Sequence, residues 1–166
     1  MTATMSTRQS SPRQQRSEAT LKCITVQLNQ LTVALPIDRV GKVIKQTTVL
    51  GSGLNHMGVT HYEGNPITVF DLHYHLFQQR QDARGTNYLI IAKTQNGQKF
   101  ALPIQGAPNL AEFPSQELRV LPPSYRRADT LGIASHVVRT IAPTGEEVTF
   151  FILDTDYLAN LHSGGI

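Results

Sequence analysis

The chain has 166 residues with 16% charged side chains, a formal net charge of +3 and one cysteine, Cys23. That length fits one domain, or two small lobes on a shared core; the mild, scattered charge leaves no footprint for nucleic acid, and a lone thiol excludes an intrachain disulfide and favours a reducing compartment. No apolar run nears the roughly 18 residues that span a bilayer and no apolar region follows the N-terminus, so the sequence predicts a cytoplasmic protein without membrane insertion.

Residues 1–20 are mostly Ser, Thr, Gln and Arg. They bury too little apolar surface to offset the entropy of ordering, which predicts a disordered tail with Arg8, Arg13 and Arg16 in solvent. From Leu21 the pattern changes to period two. Ile24, Val26 and Leu28 alternate with Cys23, Thr25 and Gln27, and Leu31, Val33 and Leu35 alternate again after Asn29-Gln30, which predicts a hairpin. Pro36 has no N–H to donate and should end regular pairing, leaving Ile37 to Ile44 as a bent segment with Val40 and Val43 as its apolar points. Val49 to Asn55 reads as loop. A strand from Gly58 to Tyr62, a turn at Glu63-Gly64-Asn65 and a strand from Pro66 to Phe70 follow, and Asp71 then caps a short helix. The polar link at 78–86 is the expected internal boundary.

The second half opens with Tyr88 to Thr94, a turn at Asn96-Gly97 whose residues suit the positive φ angles of a tight hairpin, and Phe100 to Ile104. Ala34-Leu35-Pro36-Ile37 recurs as Ala101-Leu102-Pro103-Ile104, Gly58-Val59 as Gly132-Ile133, and Val69-Phe70-Asp71 as Ile152-Leu153-Asp154. Asp154 again precedes a helix, with Tyr157, Leu158 and Leu161 along one face. Glu112 to Thr130, rich in Pro and Arg, reads as irregular connection. Two copies of a short-stranded unit, each of roughly 70 residues and too small for a full core alone, predict two small barrels that share an interface.

Chemistry finds no support in the sequence. Six histidines invite a metal, but His73 and His75 stand at i and i+2 of a helix and point apart, and no second ligand pair supports them. Cys23 lies in a strand-like run as a small core residue with no base partner, and no Gly-x-Ser-x-Gly is present. Gly51-Ser52-Gly53 lacks the following Lys of a phosphate loop, and Asp71 and Asp154 read as helix caps rather than an acid–base pair. A single-strand nucleic-acid binder would need exposed aromatics beside basic residues; Phe70, Phe100 and Phe151 fall in core-phase positions, and Tyr125-Arg126-Arg127 is one loop. No catalytic residue, cofactor or metal is therefore assigned.

The stretch 58–72, Gly-Val-Thr-His-Tyr-Glu-Gly-Asn-Pro-Ile-Thr-Val-Phe-Asp-Leu, resembles the signature of the CheW-like family, in which Gly-Val-Ile-Asn-x-Arg-Gly leads into an apolar strand and an Asp-Leu. Together with the leading hairpin, Val40-x-x-Val43 and the repeat that ends at Asp154, the resemblance defines one domain over residues 21–162. It implies an all-β fold with short helices, in which two five-stranded SH3-like β-barrels share a core. It also implies a non-enzymatic adaptor that joins methyl-accepting chemoreceptor tips to a CheA-like histidine kinase, in chemotaxis, phototaxis or pilus motility, recruited to receptor arrays at the membrane.

The chain departs from the family pattern at His61 and Glu63, where Asn and Arg are usual, and at Lys42, where Glu is common. These exchanges imply a charge pair of reversed sign, Lys42 with Glu63, facing across the first barrel and choosing partners by its polarity. Val40 and Val43 match positions that contribute to a groove for the receptor tip. The implied partner-binding set is thus Val40, Lys42, Val43, His61 and Glu63. In the second barrel, which matches the kinase-facing side, Pro108 interrupts a segment that is usually regular. The alternatives are a diverged interaction module with other partners, a metal-dependent enzyme and a single-strand nucleic-acid binder.

Overall fold

The computed structural model describes residues 19–45, 50–51, 57–79, 87–122, 124 and 132–163. In chain order it forms β1 (Thr20–Leu28), β2 (Leu31–Pro36), a 3-10 turn (Ile37–Arg39), β3 (Val40–Lys45), β4 (Leu50–Gly51), β5 (Met57–Tyr62) and β6 (Asn65–Phe70). Helix α1 (Leu72–Phe77) leads to β7 (Asn87–Lys93), β8 (Lys99–Gln105), β9 (Asn109–Pro114), a second 3-10 turn (Ser115–Glu117) and β10 (Arg119–Val120). The hairpin of β11 (Ala134–Ile141) and β12 (Glu147–Leu153) precedes the last helix, α2 (Thr155–Ser163). Residues 1–18 of the expected tail, the 46–49 connection, most of the 78–86 link and the Tyr125-Arg126-Arg127 loop lie outside the described residues, while Thr20, expected in the tail, pairs with Pro114 as the first residue of β1.

The strands make two sheets, ordered β10-β11-β12-β2-β1-β9 and β3-β7-β8-β6-β5-β4. Each is a five-stranded body extended by a two-residue edge strand, β10 or β4. Strands β9 and β10 occupy opposite edges of the first sheet yet are joined only by residues 115–118. Four extended residues reach about 13 Å, whereas the edges of a flat six-stranded sheet stand roughly 24 Å apart. The sheet must therefore curl until its edges approach, which is how an SH3-like barrel closes.

The two sheets are not the two halves of the chain in order. The β1–β2 hairpin lies in the sheet formed otherwise by β9 to β12, and the β7–β8 hairpin lies in the sheet that holds β3 to β6. Two parallel pairings make the exchange: Ile152 of β12 sits opposite Ala34 of β2, and Val69 of β6 sits opposite Ala101 of β8. These are the repeated residues of the sequence, so each repeat closes its sheet on the hairpin of the other. Both alanines are fully buried.

Burial explains why the hairpin strands are apolar on consecutive residues. In β1 and β2 one face packs inside a barrel, where Cys23, Ala34, Phe113, Val138 and Ile152 cluster. The other face joins Ile24, Val26, Leu28, Val33 and Leu35 to Ile90, Phe100, Leu102 and Ile104 of the second sheet, with Phe70, Leu72 and Leu158 between them. Val69, Leu89, Ile91 and Ala101 fill the second barrel. The largest core is the shared one, and it holds the barrels to each other. Cys23 is a buried thiol, with its pKa pushed up to about 12 by burial and secondarily by the Asp38 charge.

Both helix caps form as the sequence predicts. Asp71 Oδ1 accepts from Tyr74 N at 3.0 Å, and Asp154 Oδ1 accepts from Tyr157 N at 3.2 Å. Three expectations change. Leu50–Gly51, inside the stretch read as loop, pairs with Val59 and Gly58 as β4. The segment read as irregular after Glu112 holds the end of β9, a 3-10 turn and β10, because Ala111 and Phe113 face the barrel interior while β9 pairs along its length with β1. At the β7–β8 turn the positive φ falls on Gly97 alone, and Gly97 N donates to Thr94 O at 3.0 Å. That is a three-residue loop with a glycine bulge rather than a two-residue turn, and it recurs at β11–β12, where Gly145 N donates to Ala142 O at 2.8 Å.

Candidate functional site

The residues singled out by the sequence fall on different faces of one barrel. A β-bulge between Val40 and Lys42 resets the register of β3 on β7. It leaves Val40 opposite Ala92 and Val43 opposite Ile90, both residues of the shared core, and Lys42 opposite Ile91, a residue of the barrel interior. Cross-strand partners share a face, so Val40 and Val43 sit half-buried along the inter-barrel seam while Lys42 stands on the other face in solvent. Gly41 lies at the bulge, where a Cβ would sit 3.4 Å from the Ile91 carbonyl oxygen, at the edge of ordinary van der Waals contact.

Ile37 extends the seam. It lies in the 3-10 turn just before Val40 and is 45% exposed. With Val40 and Val43 it gives an apolar lip at the boundary of the two barrels. Sequence reasoning placed Ile37 inside a bent segment without assigning it a role; the signal available was an apolar residue directly after a strand-ending proline.

His61 and Glu63 lie at the far end of the same sheet. His61 is exposed opposite Pro66, and Glu63 with Gly64 makes the turn between β5 and β6. Their φ angles of 52° and 80° are those of a type I′ turn, which matches the twist of the strands it joins. Tyr62 is half-buried over the barrel interior, and Lys99 Nζ lies 5.6 Å from its ring centre. Partial burial raises the Tyr62 pKa above its ordinary value, followed by the charge of Glu63 and a hydrogen bond to its carboxylate.

The expected pairing of Lys42 with Glu63 is not formed. No ion pair among the described residues joins the two side chains. The cation beside the Glu63 turn is Lys99, brought there by β8 lying next to β6.

A second surface lies on the other barrel. A trough of about 670 Å3 runs over β10, β11 and β12, with Val120, Val137 and Phe151 as its apolar floor and Glu117, Arg119 and Arg139 at its rim. Val120 is 72% exposed. Phe151, read from the sequence as a core position, lines this trough half-buried.

Among the described residues no group of three or more His, Cys, Asp or Glu side chains is placed to hold a metal ion. His73 Nδ1 lies 2.7 Å from the Gln79 carbonyl oxygen, and the His75 ring lies 5.3 Å from that of Phe70. No helix of the described residues is long and apolar enough to cross a membrane.

Comparison with known proteins agrees with this architecture. The family model described as the CheW-like domain matches residues 22–162. The crystal structure of the scaffolding protein TtCheW from Thermoanaerobacter tengcongensis superposes with a TM-score of 0.67 at 16% identity, covering 84% of this chain and 88% of that one. No curated protein matches the chain.

Proposed function

The chain belongs to the CheW-like family, a family of non-enzymatic scaffold adaptors in chemotaxis signalling, and we propose that it couples methyl-accepting chemoreceptor tips to a CheA-like histidine kinase in the cytoplasm. The observation that carries this reading is the family match along residues 22–162, which takes in both barrels and the seam between them.

The mechanism is positional. The shared core of Phe70, Leu72, Phe100, Leu102 and Leu158 fixes one barrel against the other, so two protein partners bound at separate surfaces are held at a set distance. A change in receptor state then biases the kinase equilibrium through contacts that differ between the two states. The apolar lip of Ile37, Val40 and Val43 is suited to the apolar face of a receptor helix. Lys42, on the same strand as Val40 and Val43, gives charge selectivity beside it, and His61 and Glu63 offer a separate contact at the β5–β6 turn.

The test is reconstitution. Receptor fragments in lipid discs, the kinase, and this chain should together raise kinase autophosphorylation well above that of receptor and kinase alone, with no phosphoryl transfer by the chain itself. A chain that binds neither receptor nor kinase ends the adaptor reading.

A further inference from the structure

The β11–β12 ribbon runs past the strands on either side of it. Strand β10 meets β11 only at His136 and Val137, and β2 meets β12 only at Phe150, Phe151 and Ile152. Beyond those pairings the residues from Arg139 to Thr149 form a two-stranded arm, and no strand among the described residues pairs with either of its edges. In the first repeat β5 and β6 are joined by Glu63 and Gly64 alone, whereas the link between β11 and β12 takes residues 142–146.

Alternation divides the arm into two faces. Val138 and Phe150 lie opposite each other on the barrel side, in the cluster around Cys23. Arg139, Ile141, Glu147 and Thr149 point the other way, and Ile141 is 77% exposed. Arg139 stands opposite Thr149 and Ile141 opposite Glu147, so the four make a rectangle with Arg139 and Glu147 on one diagonal and Ile141 and Thr149 on the other. Along the first diagonal Arg139 Nε lies 3.8 Å from Glu147 Oε1, with the two side chains 74% and 61% exposed. An ion pair this open to water contributes little, so both charges are available to a partner. A recess of about 740 Å3 flanks them, with Glu117 of the second 3-10 turn as its other wall.

We propose that this outer face of the ribbon pairs with the same face of a second copy of the chain. A twofold axis along the Ile141–Thr149 diagonal exchanges the ends of the other diagonal. Arg139 of each copy then meets Glu147 of the other, and Ile141 packs out of water against its own equivalent. Charge complementarity selects the occupant. The face carries a cation and an anion on either side of an apolar centre, which a segment of single sign leaves half unmatched and a second copy matches fully. The contact is small and belongs to the weak, reversible class. It is separate from the inter-barrel seam and from the β5–β6 turn, and it does not depend on the adaptor reading.

Sedimentation of the whole 166-residue chain should show a monomer–dimer equilibrium that goes no further as concentration rises. Ile141→Asp, Arg139→Glu and Glu147→Arg should each weaken dimerisation about tenfold or more. None should lower the thermal midpoint, because all three side chains are exposed. Mixed in equal amounts, Arg139→Glu and Glu147→Arg should dimerise again, since one copy then carries acid at both ends of the diagonal and the other carries base at both. A wild type that stays monomeric at about 1 mM overturns the proposal. Association beyond the dimer, or a mixture as weak as its components, overturns it too. So does a monomeric chain that binds the kinase regulatory domain through Ile141, which would give the face to a different protein.

Discussion

Lys99 holds its ammonium 5.6 Å from the centre of the Tyr62 ring, across the sheet from the strand on which Lys99 lies. The contact joins β8 to the end of β5 over the intervening β6, so the hairpin received from the second repeat is tied to the turn that carries the family signature. Local sequence gives no hint of it, because 36 positions separate the two residues.

The Tyr62 phenol should titrate above the usual tyrosine value of about 10, and Glu63→Gln should lower it, since the carboxylate charge and hydrogen bond both favour the protonated phenol. The folded protein holds this proton more tightly than the unfolded chain does. Its contribution to stability is present below the unfolded pKa and is lost as pH rises through the folded value. Difference absorbance near 295 nm between wild type and Tyr62→Phe measures the titration. An unshifted pKa in wild type contradicts the contact.

Ala34→Val and Ala101→Val should each destabilise the fold by about 1–3 kcal/mol, because both alanines are fully buried at the parallel pairings and an added pair of methyl groups forces neighbouring strands apart. Urea unfolding reads the effect as a lower midpoint at unchanged slope. The equivalence of the two positions predicts losses of similar size.

Cutting the chain within 78–86 should leave neither half folded alone. The first half keeps β1–β2 without β12 and β9, and the second keeps β7–β8 without β3 and β6. Co-expressed halves should reassemble into a complex with native-like circular dichroism, and a single folded half would contradict the exchange of hairpins.

Cys23 should be inert toward thiol reagents until the protein unfolds. Burial holds its pKa up at about 12, so almost no thiolate exists at pH 8. Labelling in increasing urea should follow the unfolding curve. Because the folded pKa is raised, the associated stability is complete below the unfolded value of about 8.5 and disappears as pH climbs through 12.

Much of this protein is written in short-range pattern. Alternation set β1 and β2, Asp71 and Asp154 announced the helices they cap, and the Ala-Leu-Pro-Ile repeat revealed two related units. Each of these signals acts within a few residues, through side-chain period or a single hydrogen bond to nearby backbone. Strand β9 was harder to see, because only Ala111 and Phe113 mark its buried face and prolines flank it at Pro108 and Pro114.

What the sequence alone determined was the two leading hairpins, the strands that run into Asp71 and Asp154, the helices those residues cap and the family to which they point; β4, β9 and β10 were not among them. The tertiary structure decided which hairpin closes which sheet, since strands of one apolar composition can pair with either repeat until both faces must be buried at once. It also decided the neighbours of the charged residues. Lys42 and Glu63 were matched by sign, but no ion pair joins them among the described residues, and the closing of β8 beside β6 brings Lys99 to Tyr62.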